Sequence, residues 1–95
     1  MFLGAYQFDG ETSALLDGYD RLMSSYPPDS LELHVCVVTE RGLTVYDACP
    51  SQTVFTQFSH SPEFAAAITA AGLPVPTIVP LGEVHSTRVR ESALP

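Results

Sequence analysis

Phe2, Gly4, Tyr6 and Phe8 alternate with Leu3, Ala5 and Gln7, a two-residue period that predicts a strand over Phe2–Phe8 with two largely apolar faces. Asp9-Gly10 supplies turn chemistry at its end. From Thr12 the period lengthens. Leu15, Leu16, Tyr19, Leu22, Met23 and Tyr26 recur at helical spacing and leave Asp17, Asp20 and Arg21 off the stripe, so a helix is predicted over Thr12–Tyr26. Thr12 or Glu11 lies near its start, where an acid suits the helix dipole. Pro27-Pro28-Asp29-Ser30 stops it, because proline lacks the donor and restricts the residue before it. Leu31–Val38 and Leu43–Cys49 read as strands joined by the hairpin turn Thr39-Glu40-Arg41-Gly42, with Gly42 placed to take a left-handed conformation. After Pro50, Ser51 opens a short helix with apolar positions Val54, Phe55 and Phe58, and Ser59-His60 interrupts it. Ser61-Pro62-Glu63 restarts it with a serine cap, a proline at the first helical position and an acid in the first turn. Phe64, Ala67, Ile68 and Ala71 form the next buried stripe, and Gly72 ends it. A connector over Leu73–Pro80 leads into a last strand over Ile78–Val89, where Pro80 favours an edge or a bulge.

Strand, helix, strand hairpin, helix, strand is the order of an α+β ferredoxin-like β-α-β-β-α-β domain with an antiparallel sheet. Helices cover one face of such a sheet and leave the other bare. The 95 residues suffice for one domain, expected over residues 1–90, with residues 91–95 a flexible C-terminal tail. Hydrophobic residues make up 45% of the chain, enough to build a core. Eleven acids face four bases, all arginine, for a formal charge of −7, which argues against nucleic acid or anionic lipid as partners. No apolar run approaches the roughly 18 residues of a membrane span. Met1–Phe8 has neither the length nor the basic flank of a secretion signal, so a cytoplasmic location is the default expectation. Cys36 and Cys49 both fall in predicted strands and read as buried free thiols, a disulfide being the alternative.

The hairpin register decides where the polar residues go. A type I turn at Glu40-Arg41 with Gly42 as a bulge sets Thr39 opposite Leu43 and Val37 opposite Val45. Leu33, Val35, Val37, Val45, Asp47 and Cys49 then share the face that takes the helices. Glu32, His34, Cys36, Val38, Thr44, Tyr46 and Ala48 share the bare one. A slip of one residue instead sets His34 opposite Asp47, an imidazole with its orienting carboxylate. The first register segregates hydrophobicity better and is preferred. A face bearing His34, Cys36 and Tyr46 among apolar neighbours suits a sheet-to-sheet dimer interface or a ligand cavity.

Leu43-Thr44-Val45-Tyr46-Asp47-Ala48-Cys49-Pro50-Ser51, followed by Phe55 and Phe58, resembles the dimeric α+β barrel superfamily. That group includes antibiotic-biosynthesis monooxygenase-like, polyketide cyclase-like, haem-degrading and stress-responsive barrel proteins. Ala66, Ala71-Gly72-Leu73-Pro74 and Gly82-Glu83-Val84-His85 are similar to the closing segment of actinobacterial members, and the likeness spans Phe2 to Val89. It implies a homodimer whose two sheets face each other inside a barrel, with the helices outside. It also implies a small-molecule cavity, in relatives often set between sheet and helices of one subunit. Haem-degrading members use a Trp and an Asn near the site; this chain has no Trp, and Gln7 in its first strand.

The candidate catalytic residues are His34 and His85 as general acid/base groups and Asp47 as orienter or raised-pKa acid. Tyr6, Tyr46 and Cys36 are the candidate ligand-binding residues, the tyrosines offering a hydroxyl on an apolar body. Each has a structural alternative: a hydrogen-bonded histidine at an interface, a core aromatic, a helix-capping aspartate. Cys49, just before a helix start, is a candidate for a lowered thiol pKa or else a buried thiol. His60 reads as a surface residue. No metal-ligand spacing, phosphate loop, nucleophile elbow or dinucleotide fingerprint is present, so no metal and no cofactor is expected. The function expected is that of a cofactor-independent monooxygenase or cyclase acting on an aromatic or polyketide-like compound. The alternative is a non-catalytic dimeric barrel that binds a small ligand or assists a partner enzyme.

Overall fold

Seven elements follow one another: β1 (Phe2–Asp9), α1 (Thr12–Met23), β2 (Leu33–Thr39), β3 (Gly42–Cys49), α2 (Gln52–Ser59), α3 (Pro62–Ala70) and β4 (Thr77–Glu83). They come from a computed structural model that describes residues 1–26 and 32–89. The strands form one antiparallel sheet in the order β2-β3-β1-β4. This is a small α+β fold, compatible with a ferredoxin-like arrangement.

The helix starts are set locally. The Glu11 carboxylate accepts from the backbone N–H groups of Ser13 and Ala14, so Glu11 rather than Thr12 caps α1. Ser51 Oγ accepts from Val54 N at 3.2 Å, and Ser61 Oγ accepts from Phe64 N at 3.1 Å, with Pro62 in the first turn of α3. The break between α2 and α3 falls at His60-Ser61, close to the expected interruption.

One sheet face takes the helices. Phe2, Tyr6 and Phe8 of β1 and Leu43 and Val45 of β3 are buried there against Leu15 and Leu22 of α1, Phe55 of α2, and Phe64 and Ile68 of α3. The Phe55 ring lies 5.6 Å from that of Phe2 and 5.7 Å from that of Tyr6. Arg21 Nε donates to the Ala71 carbonyl at 3.0 Å and ties α1 to the end of α3.

The preferred hairpin register is overturned. Thr39 pairs with Gly42 across a two-residue turn, His34 pairs with Asp47, and Cys36 pairs with Val45. His34, Cys36 and Val38 therefore face the helices, while Leu33, Val35 and Val37 face outward with Thr44, Tyr46 and Ala48. Sorting β2 by hydrophobicity alone misses what Asp47 needs. Asp47 sits on the helix face in either register, and a buried carboxylate without a partner costs several kcal/mol. Half-exposing Val35 (42%) and Val37 (38%) on an edge strand costs less. Gly42 makes the tight return: its φ is +147°, and a Cβ there would lie 2.6 Å from Leu15 Cδ1 and closer still to the Phe8 carbonyl oxygen.

Two element ends also differ from expectation. Helix α1 ends at Met23 rather than Tyr26, and β4 runs from Thr77 to Glu83 rather than from Ile78 to Val89. Pro80 lies on the edge strand beside a register shift at Leu3/Gly4, where its missing N–H donor is tolerated. The helix stop at Pro27–Ser30 and the tail at 91–95 lie outside the described residues.

Candidate functional site

Strand alternation brings His34 of β2 and Asp47 of β3 side by side on the helix face, and helix α1 lowers Tyr19 onto them. His34 Nδ1 lies 2.5 Å from Asp47 Oδ1, and His34 Nε2 lies 2.5 Å from Tyr19 Oη. With a neutral imidazole beside the Asp47 carboxylate, Nδ1 carries the hydrogen and donates, and Nε2 is left as acceptor for the Tyr19 hydroxyl. The two rings lie 5.7 Å apart and nearly parallel, 13° from coplanar. The side chains of His34 and Asp47 are 22% and 12% exposed, so the relay is shielded without being sealed.

A cavity of about 720 Å³ opens between this sheet face and helices α1 and α2. That lies inside the range of roughly 300–1,000 Å³ seen for small-molecule sites. Tyr6, Tyr26, Phe55, Phe58 and Phe64 supply most of its aromatic wall, and Tyr19, Glu32, His34 and Asp47 its polar groups. The Phe58 ring bridges the wall, 4.9 Å from Phe64 and 6.5 Å from Tyr26.

The phenols lining this space are held protonated. Burial pushes the Tyr6 hydroxyl well above the usual tyrosine range, and the Asp47 charge adds to it. Burial likewise raises Tyr19 and Tyr26, again with a contribution from Asp47. Tyr19 is thus a neutral donor to His34, not a phenolate. Tyr6 makes stability sensitive to alkali. Below about pH 10 the phenol is protonated in both folded and unfolded chains. Above it the unfolded chain releases a proton that folded Tyr6 keeps, so stability falls as pH rises, by at most about 1.4 kcal/mol per pH unit. Urea unfolding from about pH 9.5 to 11.5 should show a steeper decline for the native sequence than for Tyr6→Phe; superimposable pH profiles would count against this burial.

Cys49 does not have a lowered pKa. Burial pushes its thiol up, Asp47 and Glu32 add to this, and only the N-terminal ammonium opposes them. Its Sγ faces the carbonyl oxygens of Phe2 and Ser51 at 3.8 and 3.9 Å, acceptors that favour S–H, while Ser51 already caps helix α2. Cys36 and Cys49 are both free thiols.

Of the candidate site residues, the fold brings together His34, Asp47 and Tyr6. Tyr46 is separated from them: it pairs with Ala5 and Val35 on the outer sheet face, as expected, while the register correction takes His34 to the other face. Cys36 shares the helix face with His34 but does not line the cavity, and burial raises its thiol. His85 lies past the end of β4, exposed and outside the cavity, because the last strand stops at Glu83. His60 is exposed, with Nδ1 3.0 Å from the Thr56 carbonyl. Among the described residues no three His, Cys, Asp or Glu side chains converge to hold a metal ion, and no helix is long and apolar enough to cross a membrane.

Sequence reasoning missed Tyr19 and Tyr26 as site residues, absorbing both into the apolar stripe of α1. The available signal was chemical: each puts a hydroxyl on a stripe otherwise built from Leu and Met, and a buried hydroxyl needs a partner or water. Compared with known proteins, the chain matches no family model, no curated protein and no solved structure.

Proposed function

We propose that the protein binds a flat aromatic or polyketide-like molecule in the sheet–helix cavity and moves a proton to or from it through His34. The observation that carries this reading is the Tyr19–His34–Asp47 relay on the wall of an aromatic cavity large enough for a bicyclic ligand. His34 Nε2 is the base, Asp47 holds the tautomer, and a substrate hydroxyl or acidic C–H takes the place of the Tyr19 hydroxyl. Two cofactor-independent reactions use such a base. In a cyclisation, His34 removes the proton that generates the attacking enolate and returns it to the oxygen of the accepting carbonyl. In a monooxygenation, it deprotonates an electron-rich phenol whose anion adds dioxygen at a ring C–H; loss of water from that hydroperoxide leaves a quinone, the phenol itself supplying all the electrons.

The test needs no knowledge of the natural substrate. In deuterium oxide, the protein should exchange the α-hydrogens of the bicyclic ketone 1-tetralone faster than buffer does, as followed by NMR. Exchange at the buffer rate would remove the proton-transfer claim.

The second reading is a non-catalytic dimeric α+β barrel that binds a ligand or assists an enzyme. It is favoured by one observation: both ring nitrogens of His34 already have partners, as in a structural histidine. Both readings carry a homodimer. Leu3, Ala5, Leu33, Val35, Val37, Tyr46 and Val79 make the outer sheet face largely apolar, and among the described residues the one charged side chain the strands place on it, Asp9, sits at the hairpin end and is paired with Arg41. In a chain of charge −7 that is the face on which two copies meet with least repulsion. Analytical ultracentrifugation should find a dimer for the native chain and a monomer for Val35→Glu, with His34→Ala still dimeric because His34 faces inward. A monomeric native chain would refute the barrel.

A further inference from the structure

Both charged side chains on the cavity wall, Glu32 and Asp47, are acidic. The chain has no lysine to answer them. Arg21 is engaged at the Ala71 carbonyl and Arg41 by Asp9, and among the described residues no arginine lines the cavity. Much of the remaining wall is aromatic, and ring faces carry negative electrostatic potential that attracts cations. Phe58, 39% exposed, and Tyr26 set two such rings 6.5 Å apart on the cavity that Glu32 also lines. In the neutral-imidazole form of the relay, the Asp47 charge remains uncancelled, and its side chain, 12% exposed, is screened less than a surface carboxylate. The cavity's own groups register that field: Asp47 helps push up the phenols of Tyr6, Tyr19 and Tyr26 and the thiol of Cys49.

We infer that the cavity selects an organic cation, a flat aromatic molecule bearing a protonated amine or quaternary nitrogen, with the nitrogen held between the Glu32 and Asp47 carboxylates and against the rings of Tyr26 and Phe58. This inference rests on the reading of the cavity as the ligand site. It disfavours carboxylates, phosphate esters and acyl carriers as occupants, since each brings a negative charge to a wall that, among the described residues, carries two carboxylates and no arginine or lysine.

Three bicyclic probes of matched size test it on the full chain: N-methylquinolinium (cationic), 1-methylnaphthalene (neutral) and 1-naphthoate (anionic), titrated by fluorescence. The cation should bind about tenfold more tightly than its neutral isostere at low salt, and the anion most weakly. Glu32→Gln and Tyr26→Leu should each shrink the cation-to-neutral ratio at least threefold or so while the neutral probe's affinity moves less, and added salt should shrink it in the native chain. Equal affinities for cation and neutral probe, or binding of the neutral probe alone, would overturn the charge preference and leave the cavity as a ligand site. If none of the three binds, the inference and the ligand-site reading fall together.

Discussion

Gly4→Ala is expected to destabilise the fold by about 3 kcal/mol or more, at the upper end of what overpacking costs. A Cβ at Gly4 would lie 2.6 Å from Phe55 Cδ1 and nearer still to Cε1 and Cζ. The ring cannot retreat: it is 2% exposed and wedged between Phe2 and Tyr6. Gly4 also sits where β1 changes register against β4, so the backbone there is already bent away from a regular ladder. A domain of this size has only about 5–10 kcal/mol of net stability, so the loss should appear as a large fall in urea midpoint at unchanged slope. Trimming the ring should recover part of it. Gly4→Ala combined with Phe55→Leu should be less destabilised than the sum of the two single changes, since they relieve one shared overlap. A Gly4→Ala protein within about 0.5 kcal/mol of the native chain would mean that Phe55 is not seated on β1 as described.

The second large effect is on chemistry. His34→Ala should slow tetralone exchange by about 10²–10⁴-fold, the usual contribution of a positioned general base. Asp47→Asn should approach that loss, because an amide NH₂ facing Nδ1 favours the opposite tautomer and places the hydrogen on Nε2. Tyr19→Phe should cost least, since the substrate displaces that hydroxyl. The diagnostic is non-additivity: the double variant His34→Ala/Asp47→Asn should be no slower than His34→Ala alone, because Asp47 acts only through the imidazole. His34→Ala leaves the Asp47 carboxylate without its partner at a cost of several kcal/mol, so exchange rates are to be compared under conditions where circular dichroism shows each variant folded. Rates that track stability rather than the base would support the non-catalytic reading.

The elements were legible because each had a local cause. The change from two-residue to helical period marked α1, and serine caps with Pro62 marked both later helices, so the break between α2 and α3 was readable as well. The β2–β3 register was not, since it depends on a cross-strand need. Leu33, Val35 and Val37 look like the inward face of β2 until Asp47 is given a partner, and that partner is His34. The same step took His34 across to the helix face beside Asp47 and left Tyr46 behind on the outer one. His85 was misplaced because Val84–Val89 has apolar members but no neighbouring strand to pair with beyond the Met1–Val84 hydrogen bond. Tyr19 was invisible as a site residue because a helical stripe reports burial and not what a buried hydroxyl touches.

The most direct test of the relay as the functional centre of the cavity is the long-range ¹H–¹⁵N spectrum of His34 with and without 2-naphthol, at about pH 8, where an ordinary histidine is neutral. The free protein should show Nδ1 protonated and Nε2 as a bare acceptor, and naphthol should shift Nε2 as its hydroxyl replaces that of Tyr19. A His34 spectrum that naphthol leaves unchanged while the ligand binds, or one with the hydrogen on Nε2, would contradict the account.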